Sequence, residues 1–359
     1  MKKLTALLLV LCMVLALCAC GSTEAPAATE APASEAETTP AAETPAENAD
    51  GSYAKPDGYP NGNISWIVPG PAGAALDVIT RALSDVCDFG GNVVIENIAG
   101  ATHTIGHAEA ASRPGDGLTM LTCSFAGMII KPATTELTYD MDSFRHIAMM
   151  APPVSLVVCV SPDSDIKNAD DWISAITSGD RFTYSHSSGV GGIGHLACMK
   201  ILPELGSTAG EFVAYNGSAE MLTAVLNGEI DWALIDANEA LTKSKSGELT
   251  PIVTFSSTPW EGLEDVPCIT EFGVDSDYLD VFMAYKWVAV PKDTPDDIVN
   301  WLSQQINAGV QNESYRNYLV SNGLGTLDEE WTEEDITQLL VDARSIYEQL
   351  LGELGMLAS

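Results

Sequence analysis

Basic residues are scarce in this sequence. Lys and Arg number 16 against 50 Asp and Glu, and the formal net charge is −34. So anionic a surface repels nucleic acid and anionic lipid, and neither is an expected partner. Paired cysteine motifs are also missing. Cys87, Cys123, Cys159, Cys198 and Cys268 are odd in number, and no two are spaced as C-x-x-C. They are expected as small buried apolar residues, as in Leu156-Val157-Val158-Cys159-Val160. No G-x-S-x-G elbow and no H-E-x-x-H are present, which removes the hydrolase and zinc-protease readings those motifs carry. The acidic run near the C-terminus (Asp328, Glu329, Glu330, Glu333, Glu334, Asp335) lacks calcium-loop spacing and is expected as a solvated face. The apolar run at residues 4–17 is about 14 residues long, short of the ~20 that a membrane-spanning helix needs.

That run does fit a signal segment. Lys2 and Lys3 precede it, and Leu17-Cys18-Ala19-Cys20-Gly21 follows, which resembles a bacterial lipobox. Residues 1–19 are expected to be removed and Cys20 to carry lipid, which anchors a chain stably when two acyl groups are attached. Removal leaves 14 basic against 50 acidic residues, a net charge of −36. Residues 20–58 are an Ala/Thr/Glu/Pro tract without apolar periodicity, expected to be a disordered tether reaching ~100 Å.

From Tyr59 about 300 residues remain, enough for two cores. Residues 64–68 read as a buried strand, 74–86 as a helix with Leu76, Ile79 and Leu83 on one face, and 93–95 as a strand. Residues 104–112 read as a helix and 118–122 as a strand. This β-α-β-α-β order predicts a parallel sheet covered by helices. An apolar stretch at 147–160, broken by Pro152-Pro153, is placed to cross into a second α/β unit. That unit has helices at 168–177, 191–202 and 218–226 and strands at 182–184, 212–213 and 231–235. A second crossing strand at 286–290 leads to helices at 295–310, 315–321 and 332–351. Two units and two crossings predict an α/β protein of two lobes joined by a two-strand hinge: 59–152 with 285–359, and 153–284. Ligands in such folds sit where strand C-termini meet helix N-termini.

Strand, small-residue turn, helix recurs four times. The turns are Pro69-Gly70-Pro71-Ala72-Gly73-Ala74-Ala75, Ile98-Ala99-Gly100-Ala101-Thr102-His103, Ser187-Ser188-Gly189-Val190-Gly191-Gly192 and Tyr215-Asn216-Gly217-Ser218. Small residues admit a ligand to the backbone, and the first N–H groups of each helix favour an anion. Gly189, Gly191 and Gly194 also spell G-x-G-x-x-G. A dinucleotide fingerprint belongs in the first βα turn of its domain, with an acidic residue closing the next strand. Here it lies mid-chain, and Glu211 precedes the next strand. No cofactor and no catalytic residue are expected.

In the order and spacing of IVPGPAGAALDVITR, ENIAGATHTIG, SHSSGVGGIGHLA and AYNGSAEMLTAVLNGEIDWAL, the chain resembles the tripartite tricarboxylate transporter substrate-binding proteins, the Bug or TctC family. The resemblance runs from about Tyr59 to the end. It implies a two-lobed, type II periplasmic-binding-protein-like fold that closes on a small carboxylate, with no enzymatic step. Carried over, Gly73, Asp77 and Arg81 keep the family's first turn. Ser187, Gly189, Gly191 and His195 keep its third, and Tyr215, Gly217 and Ser218 its fourth. The chain departs from the family at Gly70, where an aromatic is usual, and at Ala74, Ala75 and Gly192, where Gly and hydroxyl residues are usual. It departs also at Thr102-His103, which replaces Gly-Gly, and at Ile235, which replaces a carboxylate. Asp77 with Arg81 is an i,i+4 pair expected to be structural.

The expected ligand contacts are Ala72, Gly73, Ala74, Ala75, His103, Ser187, Ser188, Gly189, Gly191, Gly192, Tyr215, Gly217 and Ser218, chiefly through main-chain N–H groups. His103 and His107 are spaced to share a metal, but no third ligand is in view and no metal is expected; His103 is instead expected to meet a ligand carboxylate. The resulting expectation is a monomeric, extracytoplasmic solute-binding lipoprotein, held to the membrane through Cys20. It would pass a small organic acid to integral membrane transporter subunits. A ligand-presenting sensor is one alternative, which gene neighbourhood separates from transport, and a secreted enzyme using the G-x-G-x-x-G turn is the other.

Overall fold

The computed structural model describes Asn48 and residues 51–215 and 217–358. The expected signal segment, Cys20 and the tether before residue 51, Asn48 apart, lie outside the described residues. Residues 51–58, assigned by composition to the tether, run along the first lobe, where the Tyr53 N–H donates to Gln304 Oε1 at 2.7 Å.

The chain alternates strand and helix as the sequence pattern requires: β1 (Ile64–Val68), α1 (Ala75–Ser84), β2 (Val93–Asn97), α2 (Thr104–Ser112) and β3 (Thr119–Cys123). A π-turn (Ala126–Ile130) and α3 (Lys131–Thr134) lead to β4 (Phe144–Met149). The next unit comprises β5 (Leu156–Val160), α4 (Ala169–Thr177), β6 (Phe182–His186), α5 (Ile193–Glu204), β7 (Gly210–Phe212), α6 (Ser218–Leu226), β8 (Trp232–Asp236), α7 (Ala237–Lys245) and β9 (Thr250–Phe255). The chain closes with β10 (Trp287–Pro291), α8 (Asp296–Val310), α9 (Glu313–Ser321) and α10 (Glu333–Glu353).

Two five-stranded sheets result, ordered β2-β1-β3-β10-β4 and β7-β6-β8-β5-β9. In each, four strands share one direction and the remaining one, β10 or β5, is antiparallel to both its neighbours. Each antiparallel strand is the one the chain forms on entering that lobe. The two connecting segments pair with each other: Ala284 N–H donates to Val154 O at 2.8 Å, and Met150 N–H to Lys286 O at 2.9 Å. The two-lobed reading of the apolar stretch at 147–160 therefore holds, with Pro152-Pro153 between the sheets.

Apolar spacing accounts for the packing. Leu76, Ile79 and Leu83 of α1 are all buried, each contributing roughly 1.5–3 kcal/mol relative to exposure. The apolar stripe of α10 places Ile336, Leu340, Ala343, Tyr347, Leu350 and Leu351 in the core. Its start is fixed by a capping box between Thr332 and Asp335, and Glu333 pairs with Arg145 at 2.6 Å. Part of the acidic run thus serves helix capping and pairing. The pattern reading missed α7 and β9. In α7 only Ala237, Ala240 and Leu241 are buried, too weak a stripe to stand out. β9 carries Pro251, and it occupies a sheet edge, where a missing N–H is tolerated.

Candidate functional site

The four small-residue turns follow β1, β2, β6 and β7, at the C-terminal edges of the two sheets. In the first, Asp77 folds back under the turn. Its carboxylate accepts the Gly73 N–H at 2.7 Å, Asn97 Nδ2–H at 2.8 Å and Arg81 Nε–H at 2.9 and 3.0 Å. Asn97 also donates to Gly70 O at 3.1 Å. The Arg81 hydrogen bond, helped by Gly73 and Asn97 against the opposing effect of burial, holds the Asp77 carboxyl down to about 2. Asp77 and Arg81 are therefore structural, as expected, and they clamp the turn from inside. The clamp changes the donor inventory. Gly73 N–H is taken, and Ala74 N–H donates to Pro71 O at 3.2 Å. Ala72 and Ala75 N–H meet no acceptor among the described residues, and both residues are exposed.

The second turn is strained. Ala101, Thr102 and His103 have φ of 45°, 54° and 76° in succession; L-residues pay about 1–2 kcal/mol each in this region. These are the positions beside and within the pair where the related family has glycine. His103 Nδ1 meets Ser124 Oγ at 2.9 Å, and burial pushes its pKa down. His107 Nδ1 donates to the His103 carbonyl at 2.9 Å, and burial lowers His107 to about 3. Among the described residues no group of three metal-ligating side chains forms.

The third turn corrects the expectation most. Four of its N–H groups are already satisfied. Ser188 N–H donates to His186 Nδ1 at 3.0 Å and Gly189 N–H to His186 O at 3.1 Å. Gly191 N–H donates to His195 Nδ1 at 2.9 Å, and Gly192 N–H to Gly189 O at 3.1 Å. The main-chain donors without an acceptor among the described residues are Val190, exposed within the turn, and Ile193 and Gly194, buried at the start of α5. Gly189 and Gly191 both have φ of 71°, which L side chains rarely adopt. Gly194 lies against His186: a Cβ there would stand 2.6 Å from His186 Cβ and inside its ring. The third glycine of the fingerprint thus permits close helix–strand packing. His195 caps the turn and packs on Phe212, with ring centroids 4.4 Å apart. In the fourth turn Gly217 has φ of 103° and caps α6, with Tyr215 half-buried; Asn216 lies outside the described residues.

The lobes meet at the third turn. A Cβ on Gly191 would lie 3.8 Å from both Lys131 Nζ and Met356 Cε of the first lobe. Lys131 is a cation beside the glycine turn that sequence reasoning missed, because it stands in no motif and only the π-turn delivers it there. Across the lobes, Lys200 of α5 also lies 3.9 Å from Glu353 of α10. A separate cavity of about 860 Å³ borders residues 51–53, α8 and α10; Glu330, Glu333 and Glu334 in its lining make it unsuited to an anion.

The family model described as tripartite tricarboxylate transporter family receptor (TctC) matches residues 79–356. A UPF0065 protein of Bordetella pertussis is 26% identical over 312 residues, 85% of this chain and 93% of that protein. Two solved structures share the fold. Rpa4515 of R. palustris, with adipate, has a TM-score of 0.71 at 22% identity, covering 83% of this chain and 98% of that one. MatC (Rpa3494) of Rhodopseudomonas palustris, with bound malate, has a TM-score of 0.68 at 21% identity, covering 80% and 98%.

Proposed function

Because the chain belongs to the tripartite tricarboxylate transporter receptor family, its role is that of an extracytoplasmic solute-binding receptor, and we propose that it captures a small organic acid between its lobes. The observation that carries this reading is the set of main-chain donors left open at two helix starts, Ala72 before α1, Ala75 at its first residue, and Ile193 and Gly194 in α5. They stand at the C-terminal edges of the two sheets, and the lobes touch at the third turn. Helix N-termini attract anions through their unpaired N–H groups and the helix dipole. Lys131 adds one cation beside the third turn. Malate in MatC and adipate in Rpa4515 are carboxylates held by the same fold, which supports the same ligand class here.

Closure of the lobes would exclude water and strengthen each such contact. No covalent step is required, and none is proposed. Cys20 is proposed as the lipid-bearing residue, residues 20–50 as the tether, and integral membrane transporter subunits as the acceptors of the ligand. The receptor is proposed to act as a monomer.

Ala75→Pro tests the site. Ala75 is the first residue of α1, and Ala74 before it is extended (φ −77°, ψ 168°), so proline fits the backbone and deletes only a donor. A hydrogen bond to a carboxylate is worth roughly 1.5–3 kcal/mol, so affinity should fall about 10- to 150-fold. The ligand is first found by thermal shift against a panel of organic acids, since a ligand that binds only the native state raises the melting temperature. Unchanged affinity in a normally folded Ala75→Pro protein would place the ligand elsewhere. Gly191→Pro is a poorer test, because it would remove the hydrogen bond to His195 and force φ away from 71°.

A further inference from the structure

The last turns of α10 meet α5 of the other lobe, with the two chains running in opposite directions. Rising residue numbers on the α10 side meet falling numbers on the α5 side. Glu353 Oε2 stands 3.9 Å from Lys200 Nζ, and Met356 Cε stands 3.8 Å from a Cβ built on Gly191. The two helices do not pack tightly. A cavity of about 190 Å³ lies between them, bordered by Lys200, Tyr278, Phe282, Ile346, Leu350 and Glu353. Atoms lining a void forfeit dispersion contacts, so polar groups carry much of this contact. Lys200 Nζ is 3.1 Å from Glu204 Oε1 and 5.2 Å from the centre of the Tyr278 ring, and the Tyr278 hydroxyl donates to Glu204. Lys200, Glu204 and Tyr278 belong to the second lobe, and Glu353 is the first lobe's member of the cluster.

A Schellman motif turns the chain after α10. Gly355 takes the left-handed φ of 66° and donates its N–H to Gly352 O at 3.1 Å, and Met356 N–H donates to Leu351 O at 2.8 Å. The Ala358 N–H then donates to Ala133 O at 3.0 Å, which ties this segment to α3. Lys131, the first residue of α3, forms no hydrogen bond or ion pair among the described residues. Its Nζ stands at the same 3.8 Å from the Gly191 Cβ position as Met356 Cε. Glu353, Met356 and Lys131 thus meet the second lobe in order, from Lys200 back to the turn that opens α5.

We propose that residues 353–358 are an interlobe strap. Through the Glu353–Lys200 pair, and through Met356 and Lys131 against Gly191, it holds the third turn to the first lobe and lets go when the lobes part. Glu353 and Met356 are positioning residues: they act on the turn and touch no ligand. The contact is built to be reversible. The Glu353 and Lys200 side chains are 51% and 30% exposed, so solvent weakens their pairing and its loss shifts an equilibrium by no more than about fivefold. The hollow interface adds little apolar adhesion. A receptor that binds in its closed form has an apparent affinity reduced by the fraction of molecules that are closed, so the strap tunes ligand retention from outside the site. The strap itself stands on contacts within the chain; only its effect on ligand rests on the organic-acid reading of the cleft.

The test is amide hydrogen exchange of the ligand-free, full-length chain and of Glu353→Gln, Glu353→Lys and Met356→Ala. Glu353 is exposed, so its variants leave the core intact. The amides of Ser188, Gly189, Gly191 and Gly192 should exchange up to about fivefold faster in Glu353→Gln. They should exchange faster still in Glu353→Lys, whose ammonium repels Lys200. The Glu353→Lys effect should shrink in ~1 M NaCl, where charges are screened within about 3 Å, and the Met356→Ala effect should not depend on salt. Amides of α4, elsewhere in the second lobe, should keep their native rates in all three. Native exchange at the third turn in Glu353→Lys, or a change of equal size at low and high salt, would overturn the strap. So would equal acceleration in α4, which marks general loosening. If Glu353→Lys does not fold, Glu353→Gln at low and high salt decides. For an acid that raises the melting temperature, dissociation should quicken by the factor seen in exchange, and an unchanged rate would overturn the strap's role in retention. If no acid binds, the organic-acid reading falls and the exchange data still decide the strap.

Discussion

Asp77→Asn isolates the charge that holds the first turn. Asparagine keeps one oxygen for the Gly73 N–H but loses the ionic partner of Arg81, whose Nη2 lies 2.8 Å from Asp77 Oδ1. The Asp77 side chain is 3% exposed but that of its partner Arg81 is 46% exposed, so solvent screens part of the effect. Its carboxyl is lowered from 3.8 to about 2, first by the Arg81 hydrogen bond. At 1.36 kcal/mol per pKa unit, this corresponds to ~2 kcal/mol of stability at neutral pH.

The sign follows from the direction of the shift. A carboxyl depressed in the folded state stabilises above its unfolded value of 3.8, and that contribution is lost as pH falls through about 2. The assay is urea unfolding of the native and variant chains in parallel, from pH 7 to pH 3. The variant should be less stable by ~2 kcal/mol at pH 7, with the gap roughly halved by pH 3. A gap that is absent at pH 7, or that stays constant down to pH 3, would refute the assignment of Asp77 as an ionised clamp.

Two other substitutions probe the turns. Gly194→Ala gains ~1 kcal/mol of helix propensity but drives a Cβ into the buried His186 ring, so a net loss of about 1–3 kcal/mol is expected in urea unfolding. Adding His186→Ala should recover part of that loss, and a Gly194→Ala chain as stable as the native one would contradict the close packing. Thr102→Gly relieves a β-branched residue at φ 54°, and a gain of about 1 kcal/mol is expected; a lower melting temperature would show that the turn is not strained as described.

Most of the scaffold was legible because burial imposes periodicity. The run ISWIV reads as a strand covered on both faces, and Leu76, Ile79 and Leu83 repeat as one side of a helix. The Gly-rich turns were legible from their grammar of strand, small residues and helix. What misled was the inference from a helix start to a free donor. Nothing in SHSSGVGGIGH states that His186 and His195 bend back to take the N–H groups of Ser188 and Gly191. Such side-chain capping depends on rotamers that the fold selects. Lys131 escaped notice for a related reason: its position depends on a π-turn after β3, which follows no simple apolar repeat.

The sequence alone determined the two α/β units, the crossing at 147–160, the low cation count and the family. All of these depend on local pattern and composition, which the chain carries whatever its neighbours. Tertiary structure decided which donors stay open, Ala72, Ala75, Ile193 and Gly194, and which are consumed. It also brought Lys131 of the first lobe beside the third turn of the second. Hydrogen-bond satisfaction and burial are properties of what surrounds an atom, and those surroundings exist only once distant parts of the chain have met.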